Sequence, residues 1–280
     1  MSIRIHQYYW KEKRYNKENF SDKKIFHFHM DYHYGDSILN LKFFYSINPY
    51  LKKHNIMINY YYNSSYIRKP EELERYVHKE TLQLIDSYHK PNDSYHLWMG
   101  DSKNGLEYNI APFDLYFDSY YKDILRVLNL TESIPTSLYV KEDYLEGIYQ
   151  QLPAVYHNID VLVLNNIPVT FKCSSCKDVF NSVCVSLSKK FKNVVSLEKI
   201  EGADILTTRE HGLMLQDIGA ISTHSTYILA INSGPLIPCL NLASKNYVKH
   251  WVIMWNQPFN DIPSTIMEVP NKEIIESLFI

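Results

Sequence analysis

Cysteine and glycine are scarce in this chain of 280 residues, with four of the first and eight of the second. Four thiols (Cys173, Cys176, Cys184, Cys239) are too few for a disulfide scaffold, so reduced cysteines are expected. Eight glycines exclude a collagen-like or glycine-linker chain. Neither sign of charge dominates: 29 Lys+Arg stand against 31 Asp+Glu, a formal net charge of -2. That balance lacks the basic face duplex DNA requires, so no nucleic-acid partner is expected. No window approaches the roughly 20 consecutive apolar residues of a membrane span. The opening MSIRIHQYYWKEKRYNKENF lacks the apolar stretch of a signal peptide, so a soluble, cytoplasmic protein is expected. Internal repeats and low-complexity segments are missing too, which excludes a solenoid or a disordered tail.

What is present is an ordinary globular inventory. Forty-five percent of the residues are apolar and 21% charged, enough apolar surface for a packed core. At roughly 150 residues per domain the length predicts two domains. The 24 tyrosines, beside many Asn, Ile and Lys, suggest AT-rich coding sequence and rings half-buried on the core.

The organisation comes from alternation. Lys24 to Met30 (KIFHFHM) reads as a strand, DYHYG as a tight loop, and DSILNLKFFYSINPYL as a helix with Ile38, Leu39, Phe43, Phe44 and Ile47 at helical spacing. Asn55 to Tyr62 is the next strand. Pro70 to Lys79 reads as a helix opened by Pro and acids. TLQLIDSYH and SYHLWMG predict strands, and Phe113 to Leu130 an amphipathic helix. In the second half Ile159 to Asn166 is an apolar run, as expected for a strand covered on both faces. A helix (CKDVFNSVCVSLSKKF), two strands (NVVSLE and ADILTTRE), a helix (LMLQDIGAISTHS), a buried strand (TYILAIN) and a turn opening a short helix (SGPLIPCLNLA) follow. Such alternation predicts an α/β protein with parallel sheets. The break falls within Lys141 to Asn158. Two doubly wound domains are expected, over residues 1–155 and 156–262, with a closing segment over 263–280 packing back across the cleft between them.

Three constellations could carry chemistry. The first is Tyr34-Gly35-Asp36-Ser37, where Gly35 would permit a tight turn at positive φ and Asp36 would either cap the helix or act on a ligand. Loops at the carboxyl ends of strands in open α/β sheets line the ligand crevice. An ionised carboxylate there can accept a proton from a hydroxyl. The second is Asn232-Ser233-Gly234-Pro235, whose turn into a helix offers amides and a hydroxyl to a phosphate. The third is cationic: Lys172 and Arg209, each following a strand, would neutralise a diphosphate.

Taken together, HYGDSILNLKFF and LMLQDIGAISTHSTYILAINSGPLIPCLN resemble the GT-B glycosyltransferases of the lipopolysaccharide heptosyltransferase type. The tyrosine-rich style is also similar to small glycosyltransferases of large algal (chlorella) DNA viruses. The resemblance implies two Rossmann-like domains facing a central cleft. It also implies transfer of a monosaccharide from a nucleotide-sugar, a UDP-sugar and by the viral likeness UDP-xylose, to a glycan hydroxyl, in the host cytoplasm if the source is viral. Asp36 stands where the family has its catalytic base. Ser233, Gly234 and Pro235 match the donor turn, Asn232 replaces the family's Asp, and Lys172 matches a lysine after the first donor-domain strand. Arg209, with Glu210 and His211 beside it, would add donor contacts, and His33, Tyr34 and Gly35 acceptor contacts. The family's usual His after the donor turn is missing. No Asp-x-Asp occurs in the chain, so no metal and no cofactor are expected, and one base with one displacement implies inversion.

Other readings compete. His27, His29, Asp31 and His33 alternate on a strand and could converge on a metal, as in a metal-dependent hydrolase. Cys173 and Cys176 open a helix in the manner of a redox dithiol. A catalytically silent sugar-binding protein could share the fold.

Overall fold

A computed structural model describes residues 24–31, 34–65, 70–98, 111–166, 176–254, 258–268 and 271–279. Two parallel sheets account for its strands. The first contains β1 (Lys24–Met30), β2 (Ile56–Tyr62), β3 (Leu82–Asp86) and β4 (Tyr95–His96) in the order β3-β2-β1-β4. Its helices are α1 (Tyr34–Ser46), α2 (Asn48–Lys53), the single turn α3 (Glu71–Glu74) and α4 (Phe113–Val127). After α5 (Tyr144–Gln151) the second sheet begins. It holds β5 (Val161–Leu164), β6 (Val194–Ser196), β7 (Leu206–Thr207), β8 (Tyr227–Ile231), β9 (His250–Met254) and β10 (Ser264–Met267), in the order β10-β9-β8-β5-β6-β7. Its helices are α6 (Cys176–Lys190), α7 (Leu215–Ser222), α8 (Leu242–Tyr247) and α9 (Lys272–Leu278). Read from β7, this is the doubly wound order of Rossmann folds.

The apolar run read from the sequence explains the second sheet. All of Val161–Leu164 is buried, and its side chains alternate between two cores. Val161 and Val163 join Phe180, Leu187, Ile275 and Phe279 on the outer face. Leu162 and Leu164 join a larger core that continues through Ile228 and Trp251 to Phe28, Phe43 and Phe117 of the first half. A period of two on a strand thus places one face of the second sheet toward the first half.

α1 is buried on nearly every side because it lies between the first sheet, α4 and the second half. Phe43 stacks on Tyr121 at 4.2 Å, and the Tyr120 hydroxyl donates to Asn40 Oδ1 at 2.9 Å. Asp114 ties the start of α4 to the connection between β9 and β10, accepting from the amides of Asn260 (2.9 Å) and Asp261 (2.7 Å).

Three expectations change. The helix read over 70–79 is one turn, because Tyr76 turns into the core and meets Tyr144 edge-on at 6.1 Å. α5, which the sequence assigned to the first unit, packs on both halves: Tyr144 meets Tyr45 edge-on at 5.8 Å, and Tyr149 stacks on His224 at 3.8 Å. The closing segment does not cross a cleft in its described residues. β10 pairs with β9, and α9 buries Ile275 beside Phe180 and Leu187 of α6, where its apolar residues find an uncovered face. Among the described residues no helix is long and apolar enough to cross a membrane.

Candidate active site

β1 hands the chain to α1 at the point where the first sheet changes direction. From β1 the chain winds outward to β2 and β3, then returns to place β4 on the other side, which makes the carboxyl ends of β1 and β4 the switch point at which open α/β sheets commonly bind ligands. Asp36, in the first turn of α1, sits there and is only 5% exposed. Burial pushes its carboxyl up to about 7, with the imidazole of His96 pulling the other way. His96 is on β4, in register with His29 of β1, and the two rings stack at 4.8 Å. Asn40, one turn beyond Asp36, donates to the Leu97 carbonyl at 3.2 Å and fixes the end of β4 against α1.

Gly35 is not the left-handed turn residue the sequence suggested. It lies inside α1, and the glycines of positive φ among the described residues are Gly202 and Gly212. It lies instead where α1 approaches the second half. A β-carbon on Gly35 would stand 3.4 Å from Gly234 Cα and 3.5 Å from Ile237 Cγ1, ordinary contact distances. The Gly-Asp turn and the Ser-Gly turn therefore touch, although about two hundred residues apart in sequence.

The second turn follows β8. Asn232 and Ser233 are buried, and Gly234–Cys239 forms a 3₁₀ segment with Pro235 near its start. Among the described residues the Ser233 hydroxyl has no hydrogen-bond partner. The second sheet changes direction between β5 and β8. A cleft of about 460 Å³ opens at their carboxyl ends, lined by Asn165, Lys177, Asn181, Glu198, Lys199 and Ile231 among others.

The other expected site residues are spread along this edge. Arg209 follows β7, three strand positions from β8, which is roughly 14 Å at the usual strand spacing. Its guanidinium pairs with Glu198 on the wall of the cleft. Glu210 and His211 are exposed, with His211 edge-on to Tyr156 at 5.6 Å. The Tyr34 hydroxyl donates to Glu72, whose carboxyl burial pushes up to about 7 against the Leu215 amide that hydrogen-bonds it. Gln216, at the start of α7, donates to the Glu72 carbonyl, so Tyr34 is linked to the second half. His33 and Lys172 lie outside the described residues.

Sequence reasoning missed His96, Glu72 and Lys42. Lys42 carried a usable signal, since a charge inside a helix apolar on all sides must be buried with a partner.

The residues of the metal reading bond to further side chains, while His29 Nε2 stays 3.7 Å from Asp31. His27 Nδ1 meets the Tyr61 hydroxyl at 3.0 Å. His29 Nδ1 meets Ser94 Oγ at 2.9 Å, and burial pushes its imidazole down to about 4. Asp31 is paired with Lys90. Among the described residues no three His, Cys, Asp or Glu side chains are grouped to hold a metal. Cys173 lies outside the described residues. Cys184 and Cys239 are free and buried, and burial pushes both thiols up to about 12.

Two parallel sheets are thus joined where Gly35 approaches Gly234. No family model matches the chain, and no curated protein matches it. Solved structures do. A glycosyl transferase family 9 protein from Veillonella parvula superposes with a TM-score of 0.52 at 13% identity, over 94% of this chain and 92% of that one. The Escherichia coli heptosyltransferase WaaC with ADP-2-deoxy-2-fluoro heptose superposes at 0.50 and 7% identity, over 88% and 94%. The iron-containing dodecameric glycosyltransferase TibC from enterotoxigenic E. coli superposes at 0.47 and 13% identity, over 82% and 58%. The chain has the GT-B fold.

Proposed function

We propose that the protein is an inverting, metal-independent glycosyltransferase that moves a monosaccharide from a nucleotide-sugar to a glycan hydroxyl. The observation that carries this reading is the contact of Gly35 with Gly234. The chain neighbours of those two glycines are Asp36, a buried carboxylate at the start of α1, and Ser233, whose hydroxyl has no partner among the described residues; the fold is shared with structures of glycosyltransferases, and together these support the reading.

The chemistry follows from that pairing. The acceptor hydroxyl donates its proton to the Asp36 carboxylate as its oxygen attacks the anomeric carbon. The bond from that carbon to the diphosphate breaks on the opposite face, which inverts the centre. A carboxyl raised to about 7 is a stronger base than an ordinary one, and near neutral pH it still has a large ionised fraction. The departing diphosphate gains negative charge. Ser233, the amides at the start of the 3₁₀ segment, and the cations Lys172 and Arg209 would stabilise it. The cleft at the β5–β8 crevice would hold the nucleoside, and Glu210 and His211, next to Arg209, would add donor contacts. In this reading residues 1–155 bind the acceptor, through His33, Tyr34 and Gly35, and residues 156–262 bind the donor.

UDP-xylose as donor rests on the resemblance to algal-virus enzymes alone, and WaaC is a heptosyltransferase seen with an ADP-linked sugar. A thermal-shift screen with UDP-, GDP- and ADP-sugars decides among them. Stabilisation by one nucleotide class, followed by transfer that Asp36→Asn abolishes without loss of nucleotide binding, supports the reading. No stabilisation by any of them at millimolar concentration removes it. Transfer unaffected by Asp36→Asn removes the assigned base, and nucleotide binding without transfer to any acceptor favours a silent sugar-binding protein.

A further inference from the structure

Lys42 is the most deeply buried cation among the described residues, 1% exposed, and it lies outside the chemistry assigned above. It stands seven residues after Gly35, two helical turns on, so the two share one face of α1. Along that face runs the 3₁₀ segment Gly234–Cys239. Gly35 meets Gly234 at its start and the Ile237 side chain farther along, and Lys42 bonds the backbone of its later part. The Lys42 ammonium donates to the carbonyls of Ile237 (3.2 Å) and Leu240 (2.9 Å) and pairs with Glu142 at 2.9 Å. Two of the ammonium's three donors go to those carbonyls, and Glu142 lies beside it as the counter-ion. Glu142 in turn accepts from the Tyr144 hydroxyl at 2.5 Å.

Stability alone does not account for such a group. Replacing a buried ion pair with apolar side chains of similar volume is often neutral or stabilising. The segment it holds is braced from the second half, where Pro238 packs on Gly219 of α7 and Asn241 Nδ2 donates to the Pro238 carbonyl at 3.0 Å. Its tie to α1 is Lys42, whose bonds to the Ile237 and Leu240 carbonyls reach the helix that carries Asp36.

We propose that Lys42 is a positioning residue, which by fixing the Ile237 and Leu240 carbonyls sets the gap between Asp36 and the Ser233–Gly234 turn. This rests on the transferase reading above. The test uses the full chain and the nucleotide-sugar selected by the thermal-shift screen. Wild-type protein that binds no nucleotide sinks the transferase reading itself, before any variant is made.

Given transfer by the wild type, three variants are compared for melting temperature, kcat and donor KM. Lys42→Met strands the Glu142 charge and should melt lower. Lys42→Met/Glu142→Leu removes both charges and should recover the melting temperature. Its kcat should nonetheless stay depressed on the order of 100-fold, the cost of misplacing reacting groups by about 1 Å, with donor KM little changed. Lys42→Arg keeps the charge beside Glu142 but cannot hold both carbonyls at ammonium distances, so it should also lose kcat while staying folded. A folded double variant with wild-type kcat overturns the proposal. So does a folded Lys42→Arg protein with wild-type kcat if the double variant does not fold. Failure of both to fold makes Lys42 a folding residue and overturns it too.

Discussion

Gly219 of α7 and Pro238 of the 3₁₀ segment meet so closely that a β-carbon on the glycine would stand 3.0 Å from the proline carbonyl oxygen and 3.1 Å from its Cβ. Backbone and a rigid ring supply those contacts, so neither can step aside. Gly219→Ala should destabilise the protein by about 1–3 kcal/mol through overpacking. At this chain length that is a fall of roughly 2–4 °C in melting temperature per kcal/mol. An unchanged melting temperature would show that the segment is free to shift away from α7.

Transfer should show an acid limb near pH 7. Asp36 must be ionised to accept a proton, and burial has pushed its carboxyl up to about 7. kcat/KM should therefore rise about tenfold per pH unit below that value and level off above it. A profile still flat down to pH 5 would mean that the base is another group, or that Asp36 is hydrated in the working enzyme.

The same burial makes stability depend on pH with a definite sign. Asp36 is raised from 3.8 and Glu72 from 4.5, both to about 7. Between about pH 4 and 7 the folded state thus binds more protons than the unfolded one, and stability falls as pH rises through that window. Asp36→Asn should be the more stable protein at pH 8, by up to about 4 kcal/mol for a shift of three units. Its advantage should vanish near pH 4. Denaturant unfolding of both proteins at the two pH values checks this, and an Asp36→Asn protein less stable than wild type at pH 8 contradicts it.

Arg209 offers the opposite balance. Its guanidinium is 74% exposed and pairs with Glu198 at the rim of the cleft. Exposed pairs contribute about 0–1 kcal/mol, so Arg209→Ala should leave the melting temperature of the free protein nearly unchanged. If the cleft takes the nucleotide, calorimetry should show its affinity falling by about tenfold, the loss of one charge-assisted hydrogen bond. Equal affinity in the variant would remove Arg209 from the donor site.

Much of the fold was legible because it is written in periodicity. KIFHFHM and Val161–Leu164 are strands, and the long segments beginning at Tyr34, Phe113 and Cys176 are helices. What was not legible is what depends on distant partners. Tyr76 ends α3 early because the core takes its ring, and the tail joins β9 because an apolar face waits there. The sequence singled out both Asp36 and the Ser233–Gly234 turn, but not that their segments come together in space. Gly35 was read as a turn residue of positive φ, whereas it continues into α1, because the helix starts two residues earlier than the apolar spacing suggested. Arg209 was read as a free cation, but Glu198 is eleven residues earlier on the neighbouring strand's edge, and a single sequence gives no register between β6 and β7.

The bonds from Lys42 to Ile237 and Leu240 join residues 195 and 198 positions apart. Loop closure over such distances comes late in folding. The largest core also runs through both halves, so the position of the turn depends on the two coming together. A polypeptide cut between α5 and β5 and mixed again would thus report on competence as a bimolecular event, appearing only at concentrations where the fragments find one another.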